Sequence, residues 1–424
     1  MQQTILKYFE QLSSFPHCSG KTEALRTFLI HFAQELGYEV QVDKLQNILI
    51  QRGSPRLALQ AHYDMVCMGR APEIETYEKE GWLHATESSL GADNGMAIAM
   101  MMVLMRRKEE LAFVLTSDEE VGLIGASGMD LPLETEFMLN LDYEDEGIVC
   151  IGCAGGADLI GNQTFSVASP LKYHYALEVS GLVGGHSGVE IDKGIPNAIK
   201  CMANYLADKN VRLAWASGGE RRNSIPTAMQ VHLSSAEPLH GDEWVKVRPI
   251  APLDVVYESG ALIEFLAGFN HGVQAYNETF HLPQSSINLA MVHFEGGQAV
   301  VECSSRSMSD ADLEALNRRY LDFFRSHGFE ANVAYKYPAW TPEINPFTKL
   351  VNESMRRCFG ASHYEAIHAG LECGVLQARY PKIKFASIGP TIVSPHSTHE
   401  RVKISSIVQT FKVIETVMER VAKL

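Results

Sequence analysis

Three consecutive acids, Asp118, Glu119 and Glu120, follow the apolar run Leu111 to Leu115 and precede a turn at Gly122, in LAFVLTSDEEVG. Adjacent carboxylates at a strand end repel one another unless something neutralises them. Consecutive residues leaving a strand point in different directions. One could therefore hold a cation while its neighbour stays free to move a proton, the division of labour a metallohydrolase needs. A solvated acidic loop capping the next helix is the plainer account of a single acidic triplet. The company it keeps along the chain bears on the choice.

The run Arg56 to Gln60 leads into His62, Tyr63 and Asp64. Residues two apart on a strand share a face, so His62 and Asp64 can cooperate. A metal-binding imidazole needs a partner on its other nitrogen to fix the tautomer, and Asp64 is placed to be it; a lone HxD is equally compatible with a structural His. Asp93, in GADNG, stands where a helix N-cap belongs and could be only a cap. The run Phe137 to Leu141 ends in Asp142, and Ile383 to Ile388 leads through Gly389 and Pro390 to His396, Ser397, Thr398, His399 and Glu400. Several strand-like runs thus end in His or carboxylate with helical patterns between them, the usual address of a ligand site in an α/β sheet. A dinuclear zinc site needs about four protein ligands plus a bridging carboxylate. His62, Asp93, Glu120, Asp142 and His396 supply them, with His399 as a competing imidazole.

Helical periodicity over 3–13 and 21–36 and strand patterns over 40–42 and 47–51 precede these runs. The ten-residue apolar stretch Met96 to Met105 stops at Arg106 and Arg107, too short for a bilayer and fit for a buried helix. An amphipathic helix closes the chain from about 404 to 422. Between the halves, 172–338 alternates strands at 173–180, 211–216, 228–234, 289–294, 299–304 and 331–337 with helices at 196–207, 255–269 and 310–326. Gly155, Gly156, Pro170, Pro338 and Pro342 punctuate its edges. The expected organisation is an α/β catalytic domain, a mixed sheet flanked by helices, made of 1–171 and 339–424, with an α+β module inserted at 172–338.

At 424 residues the chain exceeds one ordinary core of about 150 residues. A hydrophobic content of 46% with 21% charged residues describes a soluble globular protein, and a formal net charge of -15 argues against nucleic acid or an anionic membrane as partner. MQQTILKYFEQLSSFPHCSG has neither a basic n-region nor a continuous apolar h-region, so a secretory signal is not expected. Of eight cysteines, Cys150 and Cys153 form a CxxC without a second pair near it; reduced, mostly buried thiols in a cytoplasmic protein are the expectation. Cys67 and Cys373 have no adjacent His base in a recognisable motif, which weighs against cysteine hydrolysis.

Read together, AHYDMV, GADNG, SDEEVG, LDYEDEG, IGCAGG, GGHSGVEIDKGIPNAIK, HAGLECG and GPTIVSPHS resemble the dizinc exopeptidase superfamily of aminoacylases and carnosine dipeptidases, and within it the bacterial aminoacyl-histidine dipeptidases, or peptidase D. The resemblance implies hydrolysis of small dipeptides of the Xaa-His kind, with two zinc ions that manganese or cobalt could replace, in a cytoplasmic homodimer. It makes Asp93 the bridging carboxylate, with His62 and Asp142 on one zinc and Glu120 and His396 on the other, and a cis peptide between Asp93 and Asn94. It makes Glu119 the general base and gives the inserted module the part of a lid supplying His186 to the scissile carbonyl, in its own chain or a dimer partner's. Asn223 and Arg306 become candidates for the substrate's carbonyl or carboxylate. Glu372 becomes a candidate for its free amine or a support of its own loop, and His368 is similarly open. An N-acyl-amino-acid deacylase and a silent metal-binding relative are the rival readings.

Overall fold

The structure, a computed structural model, describes residues 1–423. The chain divides into two compact units. One comprises Met1–Cys153, Trp340–Ala366 and the chain from Leu371 onward; the other comprises Ala154–Ala339 and Ile367–Gly370.

The first unit is built on an eight-stranded sheet ordered Glu39–Val42, Ile48–Gln51, Ala112–Thr116, Leu57–His62, Phe137–Asn140, Lys384–Ser387, Ile148–Cys153, His363–Ile367. Leu57–His62 pairs in parallel with both Ala112–Thr116 and Phe137–Asn140, and Lys384–Ser387 runs parallel to the latter. Central strands covered on both faces need unbroken apolar runs rather than alternation. Leu57–His62 and Ala112–Thr116 are accordingly buried at every position. Their shared direction brings His62, the Asp118–Glu120 turn and Asp142 to one edge of the sheet.

Met96 to Met105 forms the wholly buried body of the helix Ala92–Arg106, as a segment apolar all round requires. Gln2–Ser13 buries Ile5, Phe9 and Leu12, and Glu23–Glu35 buries Leu25, Leu29 and Ala33, single stripes at helical spacing. Each such large side chain contributes about 1.5–3 kcal/mol on burial. Ile404–Val421 closes the unit with Ile407, Phe411 and Ile414 inward.

The second unit is a large antiparallel sheet whose main path runs Lys246–Pro249, Tyr173–Val179, Met229–Ser235, Val211–Gly218, Leu282–Glu295, Gln298–Ser307, Gly155–Thr164, Glu330–Tyr337. Tyr175, Leu177 and Val179 are buried at period two. They share a core with Ile199 and Met202 of Ala198–Leu206, Phe265 of Gly260–Gly268 and Phe324 of Asp310–Ser326. The Phe265 ring lies 4.6 Å from Phe324 and 4.7 Å from Phe329. Gly155–Thr164 belongs to this unit because it pairs with Gln298–Ser307 and Glu330–Tyr337 along its length.

Several expectations change. The helix expected over 255–269 is Gly260–Gly268, preceded by the short strand Val256–Tyr257, which pairs with Val167–Ala168 and Leu213. Asp93 does not cap: Gly91, at φ 71°, is the N-cap, and Asp93 sits in the first turn at φ -81°, ψ 103°. The cysteines are not all reduced, since Cys18 and Cys67 form a disulfide. The other six are free thiols.

Candidate metal centre

Asp93 divides its two oxygens between two imidazoles. Oδ1 lies 3.0 Å from His62 Nε2, and Oδ2 lies 3.2 Å from His396 Nε2. Asp142 Oδ1 joins the first imidazole at 3.3 Å and Glu120 Oε2 the second at 2.9 Å. Three overlapping groups have donor atoms within 4.8 Å of one another: His62, Asp93 and Asp142; Asp93, Glu120 and His396; His62, Glu119 and Glu120. The Asp93–Asn94 peptide is cis, and the Asn94 side chain donates to the Leu141 carbonyl at 2.9 Å, joining the Asp93 turn to the strand end that carries Asp142. His396 adopts φ 58°, a left-handed conformation rare outside glycine and concentrated at functional sites. His399 meets the Ser397 hydroxyl through its backbone N–H, whereas the His396 ring meets the carboxylates.

His62 Nδ1 lies 3.0 Å from the Asp64 carbonyl oxygen, a bond that requires the proton on Nδ1. A neutral ring would then aim the Nε2 lone pair at the Asp93 and Asp142 oxygens, a repulsion that only a second proton or a cation removes. Burial alone would push the His62 imidazole down; the charge of Asp142, with the Asp142, Asp64 and Asp93 carboxylates around the ring, holds it well above its ordinary value. Burial likewise opposes protonation of His396, but its bonds to Asp93 and Glu120 raise it to about 11. Burial and the charge of Asp93 push Glu120 up to about 7, and burial raises Asp142 to about 6 against the pull of His62. Burial, then the neighbouring Glu120, hold Glu119 well above the carboxylate range. Acids that retain protons beside imidazoles that gain them mark a centre with surplus negative charge. Glu120 Oε1 is moreover buried with no partner among the described residues. This donor set fits divalent metal, with imidazole and carboxylate ligands suited to zinc and manganese alike.

Asp64 does more than the sequence indicates. The His62 ring bonds its carbonyl, and its carboxylate Oδ1 stands 3.6 Å from Nδ1. That carboxylate accepts the backbone N–H of Glu119 at 3.0 Å and of Glu120 at 3.4 Å, and the Ser19 hydroxyl at 2.7 Å. Asp64 therefore anchors the acidic turn as well as the imidazole. Below it lies a buried polar chain that sequence reasoning missed. Gln60 and Thr116 donate to Glu372 Oε2, Asn140 donates to Gln60, and Ser387 donates to Asn140. Glu372 is wholly buried, with Oε1 unpartnered among the described residues, and burial raises it to about 7. Glu144 is a further acid near the centre, held well above the carboxylate range by burial and then by Asp93 and Asp142. Its LDYEDEG context was the available signal.

His186, Asn223 and Arg306 lie in the second unit. Gly185–His186 pairs with Ser224–Ile225, and the Asn223 carbonyl accepts the Ser187 N–H at 2.9 Å, so His186 and Asn223 share one small ribbon. His186 Nδ1 accepts the N–H groups of Gly188 and Val189 at 3.2 and 3.3 Å, which leaves the proton of the neutral ring on Nε2. Arg306 is buried, donates to the Tyr337 hydroxyl at 2.9 Å and has an Nε without a partner among the described residues. His368 bonds Ser286 at 2.8 Å; burial, then the charges of Arg306 and His186, lower it to about 3.

Imidazoles and carboxylates at the carboxyl edge of a helix-flanked mixed sheet define a metallohydrolase. The chain belongs to peptidase family M20/M25/M40, whose model matches residues 58–420. It is 30% identical over 459 residues to the cytosol non-specific dipeptidase of Escherichia coli (strain K12), covering 96% of this chain and 95% of that protein. It is similar in structure to the aminoacylhistidine dipeptidase of Vibrio alginolyticus, with a TM-score of 0.81 and 26% identity over 98% of this chain and 96% of the other. Human carnosine dipeptidase 1 shares the fold, with a TM-score of 0.56 and 13% identity over 100% and 97% of the two chains.

Proposed function

We propose that the protein is a metal-dependent dipeptidase in which His62, Asp93 and Asp142 hold one divalent ion and Asp93, Glu120 and His396 a second. The observation that carries this reading is the division of the Asp93 oxygens between two imidazoles, each with its own further carboxylate. When bound, such a metal pair supplies Lewis acidity at the scissile carbonyl and lowers the pKa of an attacking water. Glu119 accepts the proton of that water and returns it to the leaving amine. Asp64 keeps Glu119 in place through its backbone N–H and fixes the His62 tautomer through its own carbonyl. The Nε2–H of His186 is the donor offered to the carbonyl oxygen as it gains charge. Arg306, a buried guanidinium whose Nε has no partner among the described residues, suits the substrate's carboxylate, with Asn223 as a further polar contact.

The sequence leaves Glu372 open between the substrate's amine and support of its own loop. We assign it to support, because its carboxylate is sealed from solvent and engaged by Gln60 and Thr116. Likeness to the aminoacylhistidine dipeptidase favours Xaa-His substrates, likeness to the non-specific enzyme favours a wider choice of leaving residue, and the imidazole and carboxylate donors favour zinc. The cytosolic relative favours the cytoplasm, and no described helix is long and apolar enough to cross a membrane. A homodimer is the family-level reading.

The test is hydrolysis of β-alanyl-histidine, alanyl-histidine, glycyl-glycine and N-acetyl-histidine by metal-stripped protein reloaded with zinc or manganese. Metal-dependent cleavage of the free-amine dipeptides alone is expected. Cleavage of the acetylated compound alone would replace this reading with a deacylase, and no cleavage with metal bound would replace it with a silent binder.

A further inference from the structure

Glu400 has no part in the chemistry above, yet its side chain is built into the centre. It is 3% exposed. Oε2 accepts the backbone N–H of Leu90 at 2.8 Å and of Gly91 at 3.0 Å, and Oε1 accepts those of Ala92 at 2.8 Å and Asp93 at 3.3 Å. The first N–H groups of a helix have no partner within it. At the start of Ala92–Arg106 one carboxylate from more than three hundred residues away takes four consecutive donors, and its charge lies at the positive end of the helix dipole. The nest depends on Gly91 at φ 71°, where a Cβ would come within 2.9 Å of Met65 Sδ.

Glu400 also stands four residues after His396, across a closed turn. Its N–H donates to the Ser397 carbonyl at 3.2 Å, and the Ser397 hydroxyl donates to the Ser394 carbonyl at 2.8 Å. Beyond it, Arg401–Lys403 pairs with Trp82–Ala85. One side chain thus ties the turn carrying Asp93 to the turn carrying His396, two residues whose reactive atoms lie 3.2 Å apart.

We propose that Glu400 is a positioning residue that holds the Asp93 turn against the His396 turn and thereby sets the affinity for the cation that Asp93, Glu120 and His396 share. This rests on the dinuclear reading above. Glu400→Gln retains the volume of the side chain but turns an NH2 group toward backbone donors, so it breaks up to two of the four bonds. A second-sphere loss of this kind weakens metal binding by about 10–100-fold.

The experiment reloads metal-stripped parent and Glu400→Gln with cobalt(II), counts ions per chain by elemental analysis, and follows the visible absorption through the titration. The parent is expected to take two ions. Glu400→Gln should take the second about 10–100-fold more weakly and with an altered cobalt spectrum, while excess metal restores kcat at a KM near the parent's. In a His396→Ala background the same change should have a smaller further effect on affinity, because one of the two turns it holds together no longer carries a ligand. A fold-wide defect would not be rescued by metal and would not shrink in that background. Should Glu400→Gln fail to fold, Glu400→Asp keeps the charge on a shorter arm and carries the same test. Second-ion affinity within threefold of the parent, with an unchanged spectrum, overturns the inference and leaves the dinuclear reading standing. A parent chain that takes up no metal overturns both.

Discussion

Glu119 and Glu120 are adjacent and alike in chemistry, and their surroundings separate them. Glu120 meets His396 at 2.9 Å and carries a buried oxygen without a partner among the described residues. Glu119 is positioned through its backbone by Asp64. Glu119→Gln should therefore keep its metal content and lose roughly 10²–10⁴-fold in kcat, whereas His62→Ala should lose metal before anything else. Elemental analysis beside steady-state kinetics distinguishes them, and parent-like turnover in Glu119→Gln would remove the base. His368 permits a test in the second unit. Its folded pKa is lowered to about 3 from 6.5, chiefly by burial. Between those values the unfolded chain binds a proton that the folded one does not, so stability rises with pH through the window and is lost on acidification. From pH 7 to 5 the loss is about 2 kcal/mol. Because His271 and His17 are also lowered by burial and add their own acid sensitivity, urea unfolding at both pH values should show a loss smaller by about that amount in His368→Asn than in the parent; equal losses in both would place the acid sensitivity elsewhere.

Among elements, the loop between the first two helices has a role out of proportion to its length. Cys18 is bonded to Cys67, the Ser19 hydroxyl holds Asp64, and the Gly20 N–H holds Asp118 at 2.6 Å. The disulfide therefore ties this loop to the segment following Leu57–His62, beside both anchors of the acidic turn. A crosslink spanning 49 residues stabilises by about 4 kcal/mol in the chain-entropy model. In a reducing cytoplasm the pair would be open. Reduction by excess dithiol should lower the melting temperature and loosen metal binding, and Cys18→Ser should reproduce both without reductant. Thiol counts under denaturation of six before reduction and eight after would accompany this; eight at the outset would mean the bond does not form. The contrast between this loop and the central strands explains what the sequence makes legible. Runs such as Leu111 to Leu115 announce themselves because burial on both faces demands continuous apolar residues, and the ligands follow at the strand ends. The pairing of Cys18 with Cys67, the Glu372 contact with Gln60 and the Glu400 nest join residues far apart in sequence, and no local periodicity encodes them. Asp93 illustrates the limit: its place at a helix start is legible, but the capping charge comes from Glu400 and leaves Asp93 for the imidazoles.

For the whole molecule, the centre concentrates Asp93, Glu119, Glu120 and Asp142 around His62 and His396 in a chain already at net charge -15. Without a cation, burial and like charges hold Glu119, Glu120 and Asp142 protonated above their ordinary range, while the bonds of His396 and His62 hold Asp93 below it against burial, so the stripped protein carries strain that metal relieves. A ligand that binds only the folded state stabilises it by about 2.7 kcal/mol at a hundredfold excess over its dissociation constant. All the residues assigned to the ions belong to the first unit, while the second has a core of its own around Phe265, Phe324 and Phe329. Zinc added to stripped protein should therefore slow amide exchange at Leu90 to Asp93, Glu119 and Glu120 and in the strands below them. The amides of Leu177, Phe265 and Val301 should change far less. Equal protection in both units would mean that they open as one cooperative body and that metal reports on unfolding of the entire chain. No protection near Asp93 at saturating zinc would mean that the carboxylates compensate one another and that their spacing serves the fold alone.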